Sequence, residues 1–277
     1  MRAVCSTCGM QFAESETTPA RCPICDETRQ YVPPGGQRWT TVQELQRIHR
    51  NCFQRLEPRL LGIGMTPEFA IGQRALLIES ADGNVLWDCV SLIDQATVDL
   101  LKGLGGVAAI AISHPHYYTS MVDWSHAFGK VPIYLHAADR EWVQRPDPVI
   151  QFWSGPTHPL GRDLTLVHCG GHFAGGTVLH WTAGAEGRGA LLTGDILQVT
   201  MDRMFVSFMR SFPNLIPLSR TAVESIVAAV APFRYDRIYG AWWDRHIESD
   251  ARAAVARSLE RYVEAIEGKR PLENAER

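Results

Sequence analysis

Residues 107–113 read VAAIAIS, an apolar run without the polar alternation of a half-exposed strand. A strand of this kind is buried on both faces, so the rest of the chain must supply layers above and below it. It runs straight into His114 and His116, two imidazoles one residue apart. The neighbouring segments follow the same logic. RLLGIGM, RALLIES and NVLWDCV read as strands separated by turn residues, and SLIDQATVDLLKGLGG reads as a helix closed by glycines. A helix near 119–128, a strand VPIYLH and a helix beginning at AADREWV follow. Strands LTLVHC, TVLHW and ALLTGD, a helix at about 219–230, a strand DRIYG and a long helix from Glu248 complete the pattern. Hairpin-linked strands followed by strand–helix alternation predict an α/β architecture, sheets inside and helices outside.

The front of the chain obeys a different constraint. Cys5 and Cys8 form one C-x2-C pair, and Cys22 and Cys25 form a second. Each pair makes a tight turn that aims two thiolates at one point, and two such turns complete a tetrahedral sulfur cage. Gly9, just past Cys8, suits a backbone position forced to positive φ. The expected occupant is Zn²⁺, with iron as the alternative, because these turns resemble those of zinc ribbons and rubredoxins. Without an ion so short a segment has no core of its own. We therefore expect a metal knuckle over 1–36 and a linker helix within 37–58. Thr41 and Glu44 would form its capping box, and Val42, Leu45, Ile48, Cys52 and Leu56 its apolar stripe. A main α/β domain is expected over 59–277.

Within that domain, chemistry-bearing residues gather at strand ends, where α/β proteins place their sites. His114 and His116 follow VAAIAIS, His172 sits in the glycine-rich stretch HCGGHFAGG, Asp195 closes ALLTGD, and His246 follows the last strand. Singly, each is an ordinary buried or surface residue. His136, His158, His168 and His180 read as structural, and Cys169 as a small buried side chain.

In this order and spacing the residues resemble the metallo-β-lactamase superfamily of αββα-sandwich metallohydrolases, over roughly residues 59–250. The resemblance implies that His114, His116 and His172 hold a metal, that Asp195 contacts it, and that His246 is the last ligand. Asp88, in VLWDCV, matches the aspartate that orients the histidine loop from behind. The chain departs from the family where an aspartate and a histidine would complete H-x-H-x-D-H: Tyr118 and Thr119 stand there. Those two residues belong to a second metal, so the resemblance implies a mononuclear site. Asp123 and His126 are candidate replacements, being one and two helical turns beyond Thr119. In a one-metal mechanism Asp195 would orient the attacking water, and His246 or Tyr118 would donate to the oxyanion or leaving group.

The expected function is a metal-dependent hydrolase acting on a small ester, thioester, lactone or amide. A non-catalytic metal-binding docking protein and an iron redox protein are the alternatives. Formal net charge is −3 over 277 residues with no basic block, which argues against a nucleic-acid partner. No apolar run reaches the length of a membrane span. An early Cys5 and an odd remainder of Cys52, Cys89 and Cys169 lead us to expect a reducing, cytoplasmic setting. A small-molecule substrate is the expected partner. Trp242 and Trp243 are candidate pocket walls, and loops 145–162 and 197–218, with Phe205, Phe208 and Met209, candidate lids.

Overall fold

A computed structural model describes residues 1–269. Seven strands form one sheet in chain order: β1 (Arg50–Glu57), β2 (Leu60–Thr66), β3 (Ala75–Ile78), β4 (Val85–Trp87), β5 (Ala109–Ala111), β6 (Ile133–His136) and β7 (Ile150–Trp153). The first four are antiparallel hairpin partners, and β4 to β7 run parallel. A second sheet carries β8 (Thr157–Pro159), β9 (Leu164–His168), β10 (Thr177–Trp181), β11 (Ala190–Gly194), β12 (Arg237–Gly240) and β13 (His246–Ile247), again in chain order. The main helices are α1 (Val42–Ile48), α2 (Gln95–Gly103), α3 (Met121–Ala127), α4 (Arg220–Val230) and α5 (Ala251–Ile266).

Period-two alternation builds the layers. Leu76 and Ile78 of β3 point inward to meet Leu166, Leu179, Trp181 and Leu192 of the second sheet, and this forms the core between the sheets. Their neighbours Ala75 and Leu77 point outward, where Val98, Leu101, Met121 and Trp124 of α2 and α3 cover them. The second sheet does the same: Val178, Leu191 and Ile238 face Val223, Ile226, Ala254 and Val255 of α4 and α5. Helix, sheet, sheet, helix is the αββα sandwich that the resemblance implied, with helices outside the sheets as the alternation predicted. Among the described residues no helix is long and apolar enough to cross a membrane.

The expected helix through Leu56 is not formed as such. The Thr41 side chain accepts from the Glu44 N–H at 3.2 Å, as a capping residue should, but the helix stops at Ile48. Residues 50–57 instead pair with β2 along its whole length, from Arg50 opposite Thr66 to Glu57 opposite Leu60. Cys52 and Leu56 are four apart, a spacing that keeps one face in a helix and equally in a strand. Partnership with β2 settles what periodicity left ambiguous. Segment 137–142 is a 3₁₀ turn rather than a full helix, and 150–153 and 157–159, expected in a lid, are β7 and β8.

Candidate metal centre

Two strand ends and one glycine turn bring His114, His116, His172 and Asp195 together, with one donor atom from each lying within 4.8 Å of the others. β5 delivers the first two. At Gly170 and Gly171 the backbone takes φ of +66° and +79°, doubling the loop back so that His172 turns inward. A Cβ on Gly171 would lie 2.5 Å from Ile226, so the same turn is also pressed against α4. Asp195 follows β11, and all four side chains are buried.

Hydrogen bonds fix which ring nitrogen is a donor to an ion. Ser113 Oγ donates to Asp88 Oδ1 at 2.9 Å, so at 3.0 Å it accepts from His114 Nδ1–H, leaving a lone pair on Nε2. His172 Nδ1 lies 3.0 Å from the Met209 carbonyl, which only accepts; its Nε2 therefore also carries a lone pair. That Nε2 faces His116 Nδ1 at 3.2 Å, and His114 Nε2 faces Asp195 Oδ1 at 3.2 Å. His114 Nε2, His116 Nε2 and Asp195 Oδ1 are buried without a hydrogen-bond partner among the described residues. Ligands at 2.0–2.1 Å around a tetrahedral ion stand about 3.3 Å apart. The donor set fits such an ion in spacing, chemistry and unsatisfied lone pairs. Burial, aided by the neighbouring His172, holds His114 and His116 well below the usual histidine range, which keeps both neutral. Burial likewise raises the Asp195 carboxyl, against the pull of His172.

Behind the histidines, Asp88 accepts from the Ser113 backbone N–H at 2.8 Å as well as from its hydroxyl. Burial pushes its carboxyl up to about 8 against those bonds. The Asp88–Ser113–His114 chain is the arrangement that orients a metal-bound imidazole.

Around the cluster lies a cavity of about 120 Å³ lined by Gln30, Tyr31, Ile71, His116, His172, Asp195, Phe212, Pro213 and Trp242. Several residues expected in it are elsewhere. His246 lies in β13, opposite Tyr239, with Nε2 3.3 Å from both Arg203 and Glu248. Trp242 takes the place expected of it, since Ala241 bonds Gly194 and carries the chain past Asp195. Asp123 faces the cysteine segment, paired with Arg145 at 2.7 Å and Gln11 at 2.7 Å. His126, partly exposed, pairs with Asp147 at 3.0 Å. Tyr118 is buried outside the cavity, and Thr119 packs beneath Gly9, its carbonyl accepting from Gln11 at 3.1 Å. Phe208 is in the core under α5, and Phe205 lies beneath the Arg261 guanidinium.

Tyr117, which sequence reasoning passed over, is the tyrosine packed against the cluster, though it is fully buried and does not line the cavity. Its ring meets His114 edge-on at 4.4 Å. Its hydroxyl faces Asp195, and burial plus that carboxylate keep it protonated. Only the alternation of neighbours in a tight turn separates the two tyrosines, and the bare sequence HPHYYT does not disclose that phase.

The four cysteines also converge. Cys5 Sγ lies 3.6 Å from Cys25 Sγ and Cys8 Sγ 3.6 Å from Cys22 Sγ, close to the roughly 3.8 Å edge of a tetrahedral zinc–sulfur cage. Gly9 has φ +81°, as the position after the second ligand requires.

Fold and donor set together define a metallo-β-lactamase-fold protein with a fused cysteine knuckle. Solved structures agree on the fold. A B3 metallo-β-lactamase with an active-site glutamic acid aligns with TM-score 0.54 and 16% identity over 84% of this chain and 97% of its own. VMB-1 aligns with TM-score 0.58 and 11% identity over 78% and 98%. FIM-1 from Pseudomonas aeruginosa, in its mono-zinc form, gives 0.53 and 15% over 76% and 95%. No family model matches the sequence. The protein described as uncharacterized protein YmaE of Bacillus subtilis (strain 168) is 48% identical over 265 residues, 95% of this chain and 96% of that one, and the chain belongs to its family.

Proposed function

We propose that this protein is a metal-dependent hydrolase with one Zn²⁺ in the histidine cluster and a second, structural Zn²⁺ among the cysteines. Its substrate is a small ester, thioester, lactone or amide. The observation that carries the reading is the convergence of buried donors on His114, His116, His172 and Asp195, with His114 Nε2, His116 Nε2 and Asp195 Oδ1 left without a hydrogen-bond partner among the described residues. A single active-site ion is favoured because Asp123, His126 and His246 are engaged elsewhere, and neither Tyr118 nor Thr119 lines the cavity.

An ion held by His114, His116, His172 and Asp195 would supply a water that ionises near neutral pH and an electrophilic contact for a carbonyl. The chain's own groups do the rest. The Asp195 carboxylate would orient the attacking water and accept its proton. Tyr117, buried edge-on against His114, keeps its phenolic proton and packs that ring in place. Ile71, Phe212, Pro213 and Trp242 exclude bulk solvent, which strengthens each polar interaction inside.

Zinc-loaded protein is expected to carry two ions per chain and to hydrolyse members of a short-chain ester and thioester panel. His116→Ala is expected to carry one ion and lose turnover by about 100-fold or more. Activity equal to wild type in His116→Ala would overturn the reading, and iron at the site with a red-brown colour would replace it with redox chemistry.

A further inference from the structure

The cysteine knuckle is built into the metal cavity. Past Cys25 the chain runs along the rim, and each peptide of that run is tied down. Arg29 Nε donates to the His172 carbonyl at 2.6 Å, Ser211 Oγ donates to the Arg29 carbonyl at 3.0 Å, and Asn214 Nδ2 donates to the Thr28 and Gln30 carbonyls, each at 2.9 Å. His172 bonds Met209 in the same strap, so knuckle, strap and metal-cluster histidine form one connected unit. The unit fixes Gln30 in the cavity wall beside His116, His172 and Asp195. Gln30 is 5% exposed, and its Oε1 is buried with no hydrogen-bond partner among the described residues.

A buried amide oxygen without a donor is disfavoured unless something that enters the site supplies one. The other polar side chains lining the cavity are members of the metal cluster, the rim tyrosine, and Trp242, whose indole N–H already donates to the Ile71 carbonyl at 2.8 Å. We propose that Gln30 is a substrate-binding residue delivered by the cysteine knuckle, its Oε1 accepting a hydrogen bond from an N–H or O–H carried beside the scissile carbonyl. The inference rests on the metallohydrolase reading and narrows its substrate class: an acyl compound with an adjacent donor, such as a secondary amide or a hydroxy-acyl ester. Tyr31, from the same knuckle, and Trp242, across the cavity, supply apolar walls for its short chain.

The test pairs two small metal ligands that differ by one donor. Acetohydroxamic acid presents an N–H beside its carbonyl, and N-methylacetohydroxamic acid does not. Their dissociation constants are measured by calorimetry on the zinc-loaded full chain, for wild type and for Gln30→Met, which keeps the side-chain length but removes the amide. Zinc content and the melting curve establish that the variant is folded and loaded. Wild type is expected to prefer the N–H compound about tenfold more than Gln30→Met does, the size of one hydrogen bond. A preference within twofold in the two proteins overturns the assignment, as does failure of zinc-loaded wild type to bind either compound. Loss of cluster zinc in Gln30→Met would likewise overturn it and make the residue a support of the metal site. If the preference is present but wild type turns over no ester, thioester or amide, the contact stands and the hydrolase reading falls.

Discussion

Ser113 shows how much of this site is decided one atom at a time. Its hydroxyl has a single proton, given to Asp88, and so it must accept from His114. Ser113→Ala leaves the His114 ring in place but removes the group that selects its tautomer. Zinc affinity of the histidine cluster is expected to fall about 10- to 100-fold, read by competition with a chromophoric chelator, while the cysteine site keeps its ion. A change under threefold would mean that packing alone orients the ring. The four donors were legible as residues because each follows a strand end, and strand ends can be read from apolar runs. His246 satisfied the same rule and still misses the cluster. After β12 the chain turns back as β13, placing His246 opposite Tyr239, and the turn itself presents Trp242 to the cavity. No periodicity in IYGAWWDRHI reports which residue of a turn faces inward.

At the scale of elements, the strand β2 explains its own odd composition. LLGIGMT places Gly62 and Gly64 on one face, and the Trp243 indole lies flat against both. A Cβ at Gly64 would stand 2.7 Å from the indole Cζ2. Gly64→Ala is therefore expected to cost about 1–3 kcal/mol in chemical denaturation, and the cost should shrink in a Trp243→Ala background. Equal costs in both backgrounds would assign the glycine to backbone freedom instead. The glycines were visible in the sequence; their partner, far along the chain, was not. Strands and helices with a single clear period were read correctly, whereas Arg50–Glu57 was lost to a spacing common to both periods.

The ends of β6 and β9 make a second prediction at this scale. His136 and His168 stack at 3.9 Å with rings 11° from parallel, and burial, with the neighbouring His168, depresses His136 to about 4. The unfolded value is near 6.5, so the folded state resists protonation. The contribution is whole above about pH 6.5 and is lost as pH falls toward 4. Zinc-loaded wild type should lose stability over that window more steeply than His136→Asn, as followed by urea midpoints. Parallel curves would remove the stacked pair as a source of acid sensitivity.

Over the whole molecule, the decisive question is whether the knuckle is an attachment or a part. Its side chains answer in packing terms: Val4, Met10, Phe12 and Ile24 belong to one continuous apolar cluster with Val42, Leu45, Met121 and Trp124, the outer layer of the first sheet. Gln11 and Asp123 join the same two regions through Arg145. A hanging ribbon would melt by itself when its ion left. Here an ion held by the four cysteines would instead brace a face that the outer layer and the rim of the cavity both lean on. Cys8→Ser is therefore expected to lose the knuckle zinc and to lower the melting temperature of the entire chain by about 5–10 °C in a single transition. Affinity of the histidine cluster for zinc should fall with it, because Arg29 would no longer be held against the His172 carbonyl. Circular dichroism at a strand wavelength and zinc counting on the same sample check both parts. An early melt confined to the first 40 or so residues, with unchanged zinc in the histidine cluster, would make the knuckle a separable module and leave the cavity wall without its support.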